Sequence, residues 1–270
     1  MYVSLEQADI HYVTASGEMA TRRETLFDGR QALAHQDFVT TGFTLQRHIS
    51  AVTNWSDDDA IDQHHRPEIY NLAKQFSHCD EVVVYPGLRR GPRHTVSHDD
   101  HLPIQMAHSD FTDDYRSMVL NPARPYAQFL KPLLKEASLS YQQLNAAKRL
   151  LVLQFWRNTG PVNPDYPLAI TDASSVPYQN LRRETVETYG DETLVFETFL
   201  VTPPNDKDYR WFTFSDLNHD EVIIFRTYDS DLEVAGLPFW TPHSAFLNSD
   251  PDAINRPRES LEMRALCLFF

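Results

Sequence analysis

Nine short segments rich in β-branched and aromatic residues follow one another along this chain, separated by turn residues, and leave little room for helices. They run over Glu81–Tyr85, Leu102–His108, Leu151–Arg157, Leu168–Asp172, Thr185–Tyr189, Leu194–Val201, Tyr209–Phe214, Glu221–Tyr228 and Ser260–Phe269. Helical signals are few. Pro67 suits the first turn of a helix that places Ile69, Leu72, Ala73 and Phe76 on one face and ends near Ser77. Ser140 and Gln143 match a capping box that opens a helix from about Tyr141 to Leu150. A third helix, Tyr126 to Glu136, is interrupted by Pro132. Many strands with few helices predict a mainly β protein, a β-sandwich or jelly-roll barrel with helices packed outside. With no internal repeat and no long linker, the reading is a single domain over residues 1–270, in which the residues before Gly42 serve as an outer strand and turn or as a dimer contact.

Composition excludes several classes of partner. The 24 Lys plus Arg against 38 Asp plus Glu give a net charge of −14, which repels phosphate backbones and anionic headgroups. No apolar run approaches the roughly 18 residues of a membrane helix. The N-terminus shows no secretory pattern, and the two cysteines, Cys79 and Cys267, read as reduced and packed. The expectation is a cytoplasmic protein, monomer or homodimer, whose partner is a small molecule and neither nucleic acid nor membrane. The 12 histidines beside 16 Phe and 12 Tyr direct attention to a metal or small-molecule site.

A jelly roll can hold a 2-His-1-carboxylate centre, in which three protein ligands occupy one face of an octahedral Fe(II). Its sequence form is His-x-Asp or His-x-Glu followed by a distant His, because residues i and i+2 of a strand point the same way. Five segments match, beginning at His35, His78, His98, His108 and His219, where this composition gives roughly two by chance. Context selects among them. Leu102, Ile104, Met106, His108 and Asp110 alternate onto one face, the pattern of a barrel-lining strand that ends at a metal. The segment from His98 to His101 is polar throughout and reads as a solvated loop, while the other three pairs lie beside helical or turn-like sequence.

The third ligand and an anion clamp come from the C-terminal region. His243 stands in Thr241-Pro-His-Ser-Ala-Phe246, and Arg258 precedes Ser260 by two residues at the start of the last strand. That pair suits a carboxylate, such as the far end of 2-oxoglutarate, held bidentately by the guanidinium and once by the hydroxyl. Alternation puts Arg258, Ser260, Glu262 and Arg264 on one polar face, opposite Leu261, Met263, Ala265, Cys267 and Phe269. Arg264 then either reaches the cosubstrate or pairs with Glu259 or Glu262. Arg157 has two readings, orienting 2-oxoglutarate or a substrate carboxylate, or pairing with Asp172. The aromatics Trp156, Trp211, Phe239 and Trp240 are candidates for an apolar pocket or for plain core.

The run Phe155-Trp-Arg-Asn-Thr-Gly-Pro161, the stretches Pro167–Val176 and Asp220–Ser230, then Pro242-His-Ser-Ala-Phe246 and Pro257-Arg-Glu-Ser-Leu-Glu-Met-Arg264, resemble the AsaB/CmcJ-like hydroxylase/desaturase family of secondary metabolism. The resemblance covers the chain from Gly42 onward and departs from the family pattern at Asn158 and Ser174. It implies a double-stranded β-helix (a jelly-roll, cupin-like barrel) and an Fe(II)- and 2-oxoglutarate-dependent dioxygenase that uses O2 to hydroxylate or desaturate a small molecule. Carried onto this chain, it implies His108, Asp110 and His243 as metal ligands and Arg258 as the cosubstrate anchor. The alternatives are a cupin-like metalloenzyme independent of 2-oxoglutarate and a non-catalytic ligand-binding barrel.

Overall fold

Strands dominate the computed structural model, which describes residues 2–35, 37–205 and 207–270, with only the backbone of His35. In chain order they are β1 (Ser4–Val13), β2 (Met19–Asp28), β3 (Phe43–Arg47), β4 (Glu81–Val84), β5 (Leu88–Arg90), β6 (His108–Ser109) and β7 (Arg149–Asn158). There follow β8 (Leu168–Thr171), β9 (Leu181–Tyr189), β10 (Glu192–Val201), β11 (Trp211–Thr213), β12 (Glu221–Asp229), β13 (His243–Ala245) and β14 (Ser260–Phe269). Helices α1 (Arg66–Ser77), α2 (Tyr115–Leu120), α3 (Pro125–Glu136) and α4 (Tyr141–Ala146) cover the outside.

Two sheets face each other. The larger has the order β1-β2-β11-β8-β13-β6-β10-β9, and the smaller β3-β12-β7-β14-β4, with β5 added to β14. Between them, Trp156, Ile223 and Phe225 of the small sheet meet Ile170 and Phe212 of the large one in a fully buried layer. The two-layer arrangement, antiparallel except where β11 pairs with β2, is the jelly roll expected from the strand count.

The outer face of the small sheet is apolar as well. Phe155, Ile224, Leu261, Met263 and Ala265 pack there against Ile69, Leu72 and Ala73 of α1, which accounts for the one-faced apolar spacing of that helix. Register pairs Leu261 with Arg157 and Glu262 with Trp156. Side chains alternate across a strand, so this pairing sends Trp156, Ser260, Glu262 and Arg264 inward and Arg157 outward with Leu261 and Met263. Helices α2, α3 and α4 bury Met118, Leu130, Leu134 and Leu144 against the ends of β7 and β14.

Several expectations are corrected by the structure. Of the expected Leu102–His108 strand only His108 joins the ladder, in the two-residue β6 that it forms with Ser109. Pro103 has no N–H to give, and the preceding residues stay extended through separate bonds, Ala107 N to His11 O at 2.8 Å and Ala245 N to Ile104 O at 2.7 Å. Helix α3 runs through Pro132 instead of breaking there, because Tyr126, Leu130, Leu133 and Leu134 bury one face and outweigh one lost bond. Helix α4 carries the expected capping box but ends at Ala146, where the chain turns into β7. The segment before Gly42 contains the β1–β2 hairpin, which adds two outer strands to the large sheet.

Candidate metal centre

The middle of the large sheet brings the candidate ligands together. His243 of β13 is the registered partner of His108 of β6 across an antiparallel bridge, so both imidazoles leave the same side, with ring centroids 4.4 Å apart. Asp110, two residues beyond His108, points the same way. Its Oδ1 stands 3.7 Å from the Nε2 of each histidine. Among the described residues these three form the one cluster of three or more His, Cys, Asp or Glu side chains able to hold an ion, with ligand atoms within 4.8 Å of one another.

Backbone carbonyls set the imidazole tautomers. His108 Nδ1 lies 2.8 Å from Met106 O and His243 Nδ1 3.1 Å from Thr241 O. A carbonyl can only accept, so each Nδ1 carries the proton and each Nε2 presents a lone pair. Neither Nε2 has a hydrogen-bond partner among the described residues. Burial, and next the neighbouring His243, lower His108 to about 4, which keeps it a neutral ligand. Burial works to raise the Asp110 carboxyl, but the Arg264 guanidinium and the two imidazoles outweigh it and hold the group well below the usual carboxylate range. Two imidazole nitrogens and one carboxylate oxygen on one face are the donor set of a non-haem Fe(II) site.

Behind the carboxylate lies a chain of buried charges. Arg264 Nε and Nη2 approach Asp110 Oδ2 at 3.3 and 3.2 Å, and Nη2 lies 3.8 Å from Glu262. Glu262 also accepts bonds from Arg90 and Gln154. Arg90 donates on to Tyr189 Oη at 2.6 Å and to the carbonyls of Asp100 and Leu102. Arg90, Gln154 and Glu262 had no motif to mark them in the sequence; only the inward phase of β14 pointed to Glu262.

Arg258 is different. It is 3% exposed, and among the described residues no carboxylate lies within 4 Å of its guanidinium. Nε donates to Ser260 Oγ at 3.1 Å, Nη1 to Tyr166 O at 3.3 Å, and the group sits over the Trp156 ring, 5.0 Å from its centroid. Burial lowers it to about 9, so it stays charged at neutral pH. A small polar cavity is lined by Arg258, Trp156, Glu262 and both histidines. A buried cation that no carboxylate touches, in one cavity with two bare imidazole nitrogens, suits a ligand that carries an anion at one end and chelates at the other.

The remaining candidates lie elsewhere. Arg157 is on the outer face of β7, where it donates to His48 O at 3.0 Å, to His219 O and to His48 Nδ1, and stacks on Trp55. That placement removes it from the cavity lined by Arg258. Its alternative partner Asp172 is bound by Arg210. Of the aromatics, Trp156 lines the site, Trp211 belongs to the core on the far side of the large sheet, and Phe239 and Trp240 pack with α2 and α3. His78 closes α1 in a left-handed conformation, His98 caps the 3-10 turn Asp99–His101, and His219 precedes β12 in a turn. The side chain of His35 is outside the described residues.

Comparison with known proteins agrees with this geometry. Residues 3–268 match the family model described as oxidoreductase/YMDC permease-like domain. The chain is 25% identical over 239 residues to an alpha-ketoglutarate-dependent dioxygenase, phiK, of a fungal species, covering 84% of this chain and 78% of that protein. It is 30% identical over 129 residues to the hydroxylase/desaturase asaB of Aspergillus flavus, covering 45% of this chain and 56% of that one. Among solved structures, the iron and alpha-ketoglutarate-dependent endoperoxidase NvfI, as its W199F variant, superposes with a TM-score of 0.76 at 20% identity, over 100% of this chain and 99% of that one.

Proposed function

The chain belongs to the oxidoreductase/YMDC permease-like domain family, and from that premise we propose that it is an Fe(II)- and 2-oxoglutarate-dependent dioxygenase, an oxidoreductase that hydroxylates or desaturates a small molecule of secondary metabolism. The observation that carries this reading is the shared cavity of His108, His243 and the unpaired Arg258. In it, His108, Asp110 and His243 hold the metal, and Arg258 with Ser260 takes the far carboxylate of 2-oxoglutarate. When bound, Fe(II) supplies the activation of O2 that converts 2-oxoglutarate to succinate and CO2 and oxidises a substrate C–H bond.

The protein's own contribution is orientation and dryness. The Met106 and Thr241 carbonyls fix the two imidazoles by their Nδ1 protons, and Arg264 holds the Asp110 oxygen that faces away from them. All three candidate ligands are at most 9% exposed, which keeps bulk water from the reacting groups. Arg264 is in this reading an orienting group for Asp110, in contact with the carboxylate rather than with the cosubstrate.

We propose further that residues 1–270 act as one catalytic domain, as a monomer or homodimer in the cytoplasm. No helix is long and apolar enough to cross a membrane among the described residues. The net charge of −14 supports a small-molecule partner over nucleic acid.

Anaerobic addition of Fe(II) and 2-oxoglutarate to metal-free protein tests the reading. The expected result is a weak visible charge-transfer band, absent in His108→Ala and requiring at least about tenfold more 2-oxoglutarate in Arg258→Ala. Stoichiometric metal binding without the band in the wild type excludes 2-oxoglutarate as cosubstrate.

A further inference from the structure

A second cavity, of about 180 Å³, opens on the other side of His108 and Asp110. Its wall is mostly carbon, with Ile104 and Met106 from the segment before β6, Phe111 after it, and Val186, Leu194 and Phe196 from the β9–β10 hairpin. The hairpin is shaped for this. An extra residue in β10 between Thr193 and Phe196 brings Phe196 opposite Val186, and Val195 takes a left-handed φ of 47° that a β-branched residue rarely adopts. Leu194 and Phe196 both line the cavity, and both are partly exposed at its rim. The hairpin tip is tied down by Gly190 N, which donates to Asp100 Oδ2 at 2.8 Å.

Most of the polar groups of this cavity are already engaged within the protein. Thr198 Oγ1 donates to Ser109 O at 2.8 Å, and Tyr189 is bonded to Arg90 and to Asp100 O. Its two guanidiniums, Arg90 and Arg264, are matched by two carboxylates, Glu262 and Asp110, so the set has no net charge. Its charged side chains are thus paired with one another, and most of the remaining wall is carbon. The contrast with Arg258 is direct: among the described residues no carboxylate touches its guanidinium, whereas Arg90 contacts Glu262 and Arg264 contacts Asp110.

Resting on the oxygenase reading above for which cavity takes substrate, we propose that the β9–β10 cavity binds an uncharged, apolar hydrocarbon portion of the substrate and excludes ionised groups. A carboxylate or ammonium placed there loses its hydration beside guanidiniums and carboxylates that already pair with one another, while apolar surface gains by leaving water. Selection inside the cavity is by shape, and any charged part of the substrate stays outside the rim formed by Leu194 and Phe196.

The test needs neither metal nor cosubstrate. Metal-free protein is titrated with 2-naphthol, uncharged at neutral pH, and with 2-naphthoate, the same ring bearing a carboxylate, following ring fluorescence. Binding that Leu194→Trp removes is binding in this cavity, and circular dichroism checks that the variant is folded. The expected result is a Leu194→Trp-sensitive component for 2-naphthol and one at least about tenfold weaker for 2-naphthoate. Equal or tighter cavity binding of 2-naphthoate, or no Leu194→Trp-sensitive binding of 2-naphthol by folded protein, overturns the inference. Because the charge-transfer band is measured separately, this inference can fail while the band persists, and the oxygenase reading can fail while the cavity still prefers the neutral ring.

Discussion

Asp110 has two inequivalent oxygens, and a single arginine makes them so. Oδ1 faces both imidazoles at 3.7 Å, while Oδ2 is taken by Arg264. Such outer contacts to a metal-ligating carboxylate are worth roughly 10–100-fold in metal affinity. Arg264→Gln is therefore expected to weaken Co(II) binding to the metal-free protein by about that factor, with Arg264→Lys recovering part of it, as read from the visible d–d bands; unchanged affinity in Arg264→Gln removes the positioning role. The sequence showed that Arg264 shares a face with Arg258, but it could not show which carboxylate Arg264 meets. Arg157 marks the same boundary from the other side. Alternation says that Trp156 and Arg157 point to opposite faces, yet only the register of β7 on β14 decides that Trp156 is inward.

At the scale of elements, legibility follows from length and repetition. β14 alternates polar and apolar residues from Ser260 to Ala265 before an apolar run, and α1 has three turns in which to display its apolar face, so both are readable in advance. The three residues of β13 contain no period, and β6 has two. The strands that bear the histidines are thus the least visible, and the His-x-Asp spacing had to stand in for them. A local motif does better: the Ser140–Gln143 capping box is present as spelled, with Gln143 N donating to Ser140 Oγ at 3.2 Å and Ser140 N to Gln143 Oε1 at 2.9 Å. Ser140→Ala is expected to lower stability by about 1 kcal/mol, a fall of roughly 2–4 °C in Tm for a domain of this size, with no change in metal binding. Differential scanning fluorimetry with and without Co(II) separates the two effects.

For the molecule as a whole, buried and half-buried carboxylates tie stability to pH. On the outer side of the small sheet, Glu68 accepts from Ser50 Oγ at 2.6 Å, from Ala51 N at 2.7 Å and from His65 Nδ1 at 2.9 Å. Burial alone raises a carboxyl, but these three bonds prevail and bring Glu68 down to about 2. A carboxyl held below its unfolded value near 4.5 binds fewer protons in the folded state. Its stabilisation is complete above that value and is lost as pH falls towards 2. Glu68→Gln is expected to flatten the fall of Tm between about pH 5 and pH 2.5 relative to the wild type, measured on metal-free protein; an unchanged slope assigns the acid sensitivity to other carboxylates. Last, His108 and His243 are 135 residues apart in sequence, yet they meet as one bridged pair. Everything between them departs from that pair and returns to it, including the β9–β10 hairpin that walls the substrate cavity. Chemistry and selectivity are thereby inherited separately: a lineage can redraw that wall by exchanging or lengthening the hairpin while the two nitrogens stay in place, so descendants of one such barrel can diverge in what they oxidise without reinventing how.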